Sequence, residues 1–186
     1  MSRAGRTRWS GSIGCKHLRL ETGGARAWWV YAAAAAGALA WLGLICAAPR
    51  LLASGHETSA ALLYVGFSGV CHQLPERSFH LWGCPLAVCA RCAGLYAGSL
   101  AGLLLYPLVR RVSDETFPDR RWLLLAAAPL AVDVAGGAAG LFVNTFFSRA
   151  ATGALAGAAA ACYVLPGMIS CVEFWFRGRA TRHGGS

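Results

Sequence analysis

An all-α fold, a polytopic membrane helix bundle with four crossings and one short re-entrant or interfacial helix, is predicted by three observations. The chain of 186 residues is 56% apolar and only 13% charged, with a mean hydropathy of +0.49; that balance leaves too little polar surface for a soluble domain. Four stretches, 27–48, 86–109, 122–143 and 150–176, are continuously apolar enough to cross about 30 Å of hydrocarbon, which takes roughly 20 helical residues. The arginines gather almost wholly outside these stretches. One membrane domain over 27–176 follows, with a Gly/Arg/Ser-rich tail at 1–26, read as disordered, and a second basic tail at 177–186.

The first stretch follows a basic region and precedes Ala47-Ala48, as a signal peptide would. Its apolar core of 22 residues is too long for that, and Ile45 before Cys46 spoils a lipoprotein cleavage site. It therefore reads as an uncleaved helix. The stretch 59–70 has 12 residues, too few to span alone. Glycines recur every four residues at Gly94, Gly98 and Gly102, at Gly136 and Gly140, and at Gly153 and Gly157. That spacing lets helix backbones approach closely where lipid removes the hydrophobic drive to associate. On the second crossing Cys89, Cys92, Tyr96 and Ser99 share one helical face, about 200° from the glycines at roughly 100° per residue. Both faces then avoid lipid, which makes this helix central.

The net charge of +9 is a topology signal rather than a nucleic-acid surface, because no basic motif is interleaved with aromatics. Arg3, Arg6, Arg8, Lys16, Arg19 and Arg26 precede the first crossing; Arg110, Arg111, Arg120 and Arg121 separate the second from the third; Arg177, Arg179 and Arg182 follow the fourth. With four crossings all three clusters fall on the cytoplasmic side. The expected location is thus a bacterial inner membrane, both termini cytoplasmic, the segment 71–92 and the turn 144–149 outside. The lipid bilayer is the one partner this composition demands.

Chemistry concentrates at 71–92, where Cys71, Cys84, Cys89 and Cys92 stand with His72 and His80 inside 22 residues. The words Cys71-His72-Gln73, Pro75-x-Arg77-Ser78-Phe79 and Cys89-x-Arg91-Cys92-x-Gly94-x-Tyr96-x-Gly98, then Pro129, Asp133, Asn144, Arg149 and Thr152-Gly153, resemble domain-of-unknown-function family 2085 (DUF2085), prokaryotic integral membrane proteins. The resemblance covers roughly 55–165 and implies a multi-helix membrane protein without supplying an activity. Val134 stands where such proteins usually carry glycine.

Thiolates beside imidazole suit zinc, with iron the second choice. Cys71, His72, Cys89 and Cys92 are the expected ligands, Cys84 and His80 the alternates. The N-terminus of the second crossing and Arg91 should depress the thiols of the Cys89-x-x-Cys92 pair, favouring the thiolate. The same pair in an oxidising compartment also fits a quinone-coupled thiol:disulfide oxidoreductase. Asp133, about 11 residues and roughly 16 Å from either end of its stretch, is costly unless protonated, paired with Arg91 or Arg149, or wetted. It is a candidate catalytic or proton-accepting group, and Glu76 or His80 a candidate base beside a metal-held water. Arg91, Tyr96, Asn144 and Arg149, with Gln73 and Arg77, are the expected contacts to a lipid-soluble or anionic ligand. A small transporter or lipid-handling protein remains a third class. Nothing in the chain is an enzyme signature by itself.

Overall fold

The computed structural model describes residues 13–114 and 116–183, with side chains over 24–176 apart from 115. Five helices carry the described chain: α1 (Ile13–Ala53), α2 (Glu57–Ser68), α3 (Ala90–Val109), α4 (Arg120–Ala138) and α5 (Phe146–His183). Between α2 and α3 lie a 3-10 turn at Pro75–Arg77 and a two-strand hairpin, β1 (His80–Leu81) and β2 (Cys84–Pro85). Four helices contain apolar spans, Gly24–Ala53, Ala90–Val109, Arg120–Ala138 and Phe146–Phe176. The all-α class and the four long membrane helices are those expected.

The boundaries moved. Helix α1 starts at Ile13, inside the segment read as a tail, and residues 1–12 lie outside the described residues. Packing extends past the expected start at 27 because Arg26 Nε donates to Glu173 Oε1 at 3.0 Å across the bundle, beside a buried Ala27. At the other terminus α5 runs on to His183, into the expected basic tail. Helix α4 stops at Ala138, short of the expected 143, where Gly140 takes a φ of 70° and opens the turn into α5.

The short helix α2 is the second arm of a hairpin with α1. Ser54 N–H donates to Arg50 O at 3.1 Å and His56 N–H to Leu51 O at 2.9 Å, closing a tight turn. The Trp41 and Phe67 rings then meet edge-on at 5.0 Å, so α2 lies back along α1 rather than across the end of the bundle. At 12 residues it reaches about 18 Å, well under a bilayer.

Helices α3 and α5 pack side by side in the same direction. A methyl added at Gly94, Gly98 or Gly102 would strike the backbone of Ala150, Ala154 or Ala158 in turn, and one at Gly153 or Gly157 the backbone of Arg91 or Leu95. The constant offset makes the contact parallel, and the predicted glycine repeats of the second and fourth crossings are the two halves of one seam. Ser99 Oγ crosses it, donating to Gly157 O at 3.2 Å. The third-crossing repeat works otherwise: a methyl at Gly136 would meet the Phe142 ring, while at Gly140 nothing lies within 4 Å.

Helix α4 runs antiparallel on α5, with Tyr163 Oη donating to Asp119 O at 2.7 Å at one end and Ser148 Oγ to Asp133 Oδ1 at 3.3 Å near the other. Helix α1 opposes α3 and α5. Its Ala27 joins Leu103, Tyr106, Leu165 and Ile169 in one buried cluster, while its Ile45 and Ala48 join Phe67, Cys71, Leu86 and Val88 in another. The second cluster is the floor on which the Cys segment rests.

Candidate functional site

The segment between α2 and α3 is folded by its own turn chemistry. Trp82 and Gly83 both take positive φ, 53° and 78°, the conformation a two-residue hairpin turn requires, and they pair Leu81 with Cys84 and His80 with Pro85. Ser78 is wholly buried and donates to Leu74 O at 2.9 Å. Gln73, also left-handed at φ 51°, sends its amide to Tyr64 O at 2.7 Å and Ala87 O at 2.8 Å. It fastens α2 to the approach of α3. Gln73, expected to contact a ligand, gives its amide N–H groups to these two carbonyls.

This packing brings Cys71 against the start of α3. The sulfurs of Cys71, Cys89 and Cys92 all lie within 4.8 Å of one another, with Cys71 buried and the other two half-buried. Cys71 Sγ accepts Cys89 N–H at 3.1 Å and Gln73 N–H at 3.5 Å. Cys89 caps α3 in an extended conformation. Its thiol is lowered to about 5, first by the hydrogen bond from the Cys92 thiol, against the opposing effect of burial, then by further donors that include the Cys92 and Arg91 backbone N–H groups. The depression was expected from the helix start and the Arg91 charge; Arg91 supplies only its N–H, because its guanidinium turns away to Asp133.

Among the described residues no histidine or carboxylate joins the three sulfurs. His72 and His80 are exposed, so the expected four-ligand set with His72 is not assembled, and neither alternate replaces it: Cys84 is held on the hairpin opposite Leu81. Periodicity places Cys89 and Cys92 together, but nothing in the order Cys-His-Gln indicates that the chain turns the His72 ring outward.

Asp133 sits deeper in protein and nearer a helix end than expected. With α4 ending at Ala138, it lies about 7 Å from that end, and its carboxylate accepts from Arg91 Nη2 and Ser148 Oγ. Asn144 Nδ2 donates to the Asp133 carbonyl at 2.5 Å, its amide seated against Gly137, where a methyl would come within 2.5 Å of Oδ1. Arg149 Nε donates to Asn144 O at 3.4 Å. Of the two expected partners for Asp133, the protein uses Arg91, and the cluster ties α3, α4 and α5 together at the end that carries the cysteines.

Two cavities of about 300 Å³ flank this end. One, lined by Gly37, Ala38, Trp41, Tyr96 and Ser99, opens between α1 and α3; its Tyr96 is one helical turn from Cys92, and Trp41 meets Tyr96 edge-on at 5.8 Å. Sequence gave no cue to Trp41, which sits in an apolar run. The other is lined by Glu76, Asn144, Thr145, Phe146 and Arg149. Glu76 therefore faces the α4–α5 turn rather than the sulfurs, and Arg77 is exposed on the turn beside it.

Four long apolar helices with a thiol cluster at one end define a multi-pass membrane protein. The chain belongs to DUF2085, described as a predicted membrane protein family, which it matches over residues 71–163. It is similar to an uncharacterized protein of Methanocaldococcus jannaschii, 40% identical over 104 residues, which are 56% of this chain and 67% of that protein. No solved structure matches it.

Proposed function

We propose that Cys71, Cys89 and Cys92 bind a thiophilic metal ion, zinc before iron, at the extracytoplasmic face of a bacterial inner membrane. The convergence of three sulfurs within 4.8 Å carries this reading. The depressed Cys89 thiol supports it, since metals bind the thiolate, and the N–H contacts at 3.1 and 3.5 Å hold the Cys71 sulfur in place. Three protein ligands leave a fourth tetrahedral position for water or substrate, the pattern of zinc sites that do chemistry rather than closed structural ones. The cleft at Trp41 and Tyr96 offers a lipid-soluble substrate a route to that position from the membrane.

A second reading, a membrane thiol:disulfide oxidoreductase, is favoured by the Cys92 hydrogen bond that stabilises the Cys89 thiolate. With Cys89 already a thiolate, the pair would lose two electrons and the one Cys92 thiol proton in forming the disulfide, and a quinone would take both electrons with that proton and a second from water to become quinol. The transporter reading draws no support from an Asp133 carboxylate already engaged by Arg91 and Ser148.

Metal content by mass spectrometry on detergent-purified protein, with free thiols counted under denaturing, non-reducing conditions, separates the first two. The expected result is about one metal ion per chain, three recovered motif thiols at positions 71, 89 and 92, metal lost in Cys71→Ser and retained in His72→Ala. No metal, with Cys89 and Cys92 recovered as a disulfide, would overturn the metal reading and lead to quinone-reduction assays.

A further inference from the structure

The cavity at the α4–α5 turn is independent of the thiols and has charges of opposite sign on its walls. Arg149, half-buried at the start of α5, lines it beside Asn144, Thr145 and Phe146, and Glu76 from the 3-10 turn closes the other side. Among the described residues neither Arg149 nor Glu76 belongs to an ion pair. An arginine and a glutamate that share a cavity without touching leave room for a ligand between them carrying both complementary charges. Leu141, Phe142 and Val143 on the same turn and Phe147 at the start of α5 are exposed apolar side chains, suited to the headgroup level of a bilayer. The Phe79 and Phe146 rings, 5.9 Å apart, join the Glu76 segment to α5.

We propose that this cavity binds a zwitterion, its phosphate or carboxylate on Arg149 and its ammonium on Glu76. Arginine matches an oxyanion with two parallel N–H donors, and the N-terminal end of the α5 dipole adds to the field there. The volume, about 300 Å³, is at the small end of ligand sites, of the size of a headgroup and not of a whole lipid. A phosphoethanolamine group carries both charges, whether it caps a phospholipid or is free in solution.

The test is native mass spectrometry of the full chain in detergent, offered equal phosphatidylethanolamine and phosphatidylglycerol, with free phosphoethanolamine as competitor. Wild type should retain the zwitterionic lipid over the anionic one by about tenfold, the effect of one charge-assisted contact. Glu76→Gln, an exposed change, should erase that preference while keeping both lipids; Arg149→Gln should weaken both. Displacement by free phosphoethanolamine would identify a soluble zwitterion as the ligand, and resistance to it a lipid headgroup. Equal retention of the two lipids by wild type, or an unchanged preference in Glu76→Gln, would overturn the proposal and reduce Arg149 to an interfacial anchor. Metal and thiol content at Cys71, Cys89 and Cys92 should be the same in both variants, so the result stands apart from the fate of the metal reading.

Discussion

Cys92 and Cys89 differ in role although they belong to one short motif. The neighbouring Cys92 thiol, ahead of the backbone N–H groups at the start of α3, holds the Cys89 thiol near 5 against about 8.5 for a free one. The Cys89 thiolate therefore persists in acid. In metal-free, reduced protein, alkylation of Cys89 by iodoacetamide, read by peptide mass spectrometry, should rise with pH about a midpoint near 5. Cys92→Ala removes the leading cause of the depression and should move the midpoint upward; a wild-type midpoint near 8.5 would contradict the assignment. The sign for stability follows: the folded value lies below the unfolded one, so the contribution is full above about pH 8.5 and is lost as pH falls toward 5. At the neighbouring position Arg91 shows how little of a motif's chemistry follows from adjacency. Its guanidinium lies between two thiols in sequence yet pairs with Asp133 on another helix.

At the scale of elements, the α3–α5 seam is the tightest contact in the bundle, and its glycines are there for proximity rather than for backbone freedom. A methyl at Gly98 has nowhere to go, since the facing atoms are Ala154 backbone, whereas one at Gly37 on α1 meets nothing within 4 Å. Gly98→Ala should destabilise the purified protein by about 1–3 kcal/mol, the range for an overfilled core, and Gly37→Ala should be neutral or stabilising because alanine is the better helix former. Thermal unfolding in detergent would read both. Equal effects would mean that the helices are further apart than described. Each long helix also carries a proline, at Pro49, Pro107, Pro129 and Pro166, tolerated where neighbouring helices can satisfy the freed carbonyls.

Over the whole molecule, the parallel α3–α5 pair and the opposed α1 and α4 put the N-terminal end of the α1 span beside the C-terminal part of α5, joined by Arg26 and Glu173. The Cys segment and the α4–α5 turn share the opposite end. With the arginine clusters placed inside by the charge rule, a maleimide that cannot cross membranes should label Trp82→Cys in intact cells above the wild-type background, and Ser113→Cys only after permeabilisation. Trp82 and Ser113 are both exposed, so the reverse pattern would invert the topology. The arginines at the other end are also organised: Arg110 donates to Thr116 O at 2.9 Å and Thr116 Oγ1 at 2.8 Å, folding the α3–α4 connection onto itself.

What can be read from the chain alone is what depends on local pattern. Span length and apolar content decide the number of long helices, glycine spacing marks α3 and α5 as close packers, and the cluster of cysteines marks the end that carries the candidate site. Each follows from repeat or length, quantities a linear sequence carries. Tertiary structure decided the pairings: that Cys71 joins Cys89 and Cys92 while His72 faces outward, that Asp133 takes Arg91 rather than Arg149, that Gln73 clamps backbone, and that Glu76 faces Arg149 across a cavity. Those outcomes depend on turn geometry at Gln73, Trp82 and Gly140 and on which helices lie side by side, and neither is carried by a local pattern of repeat or length.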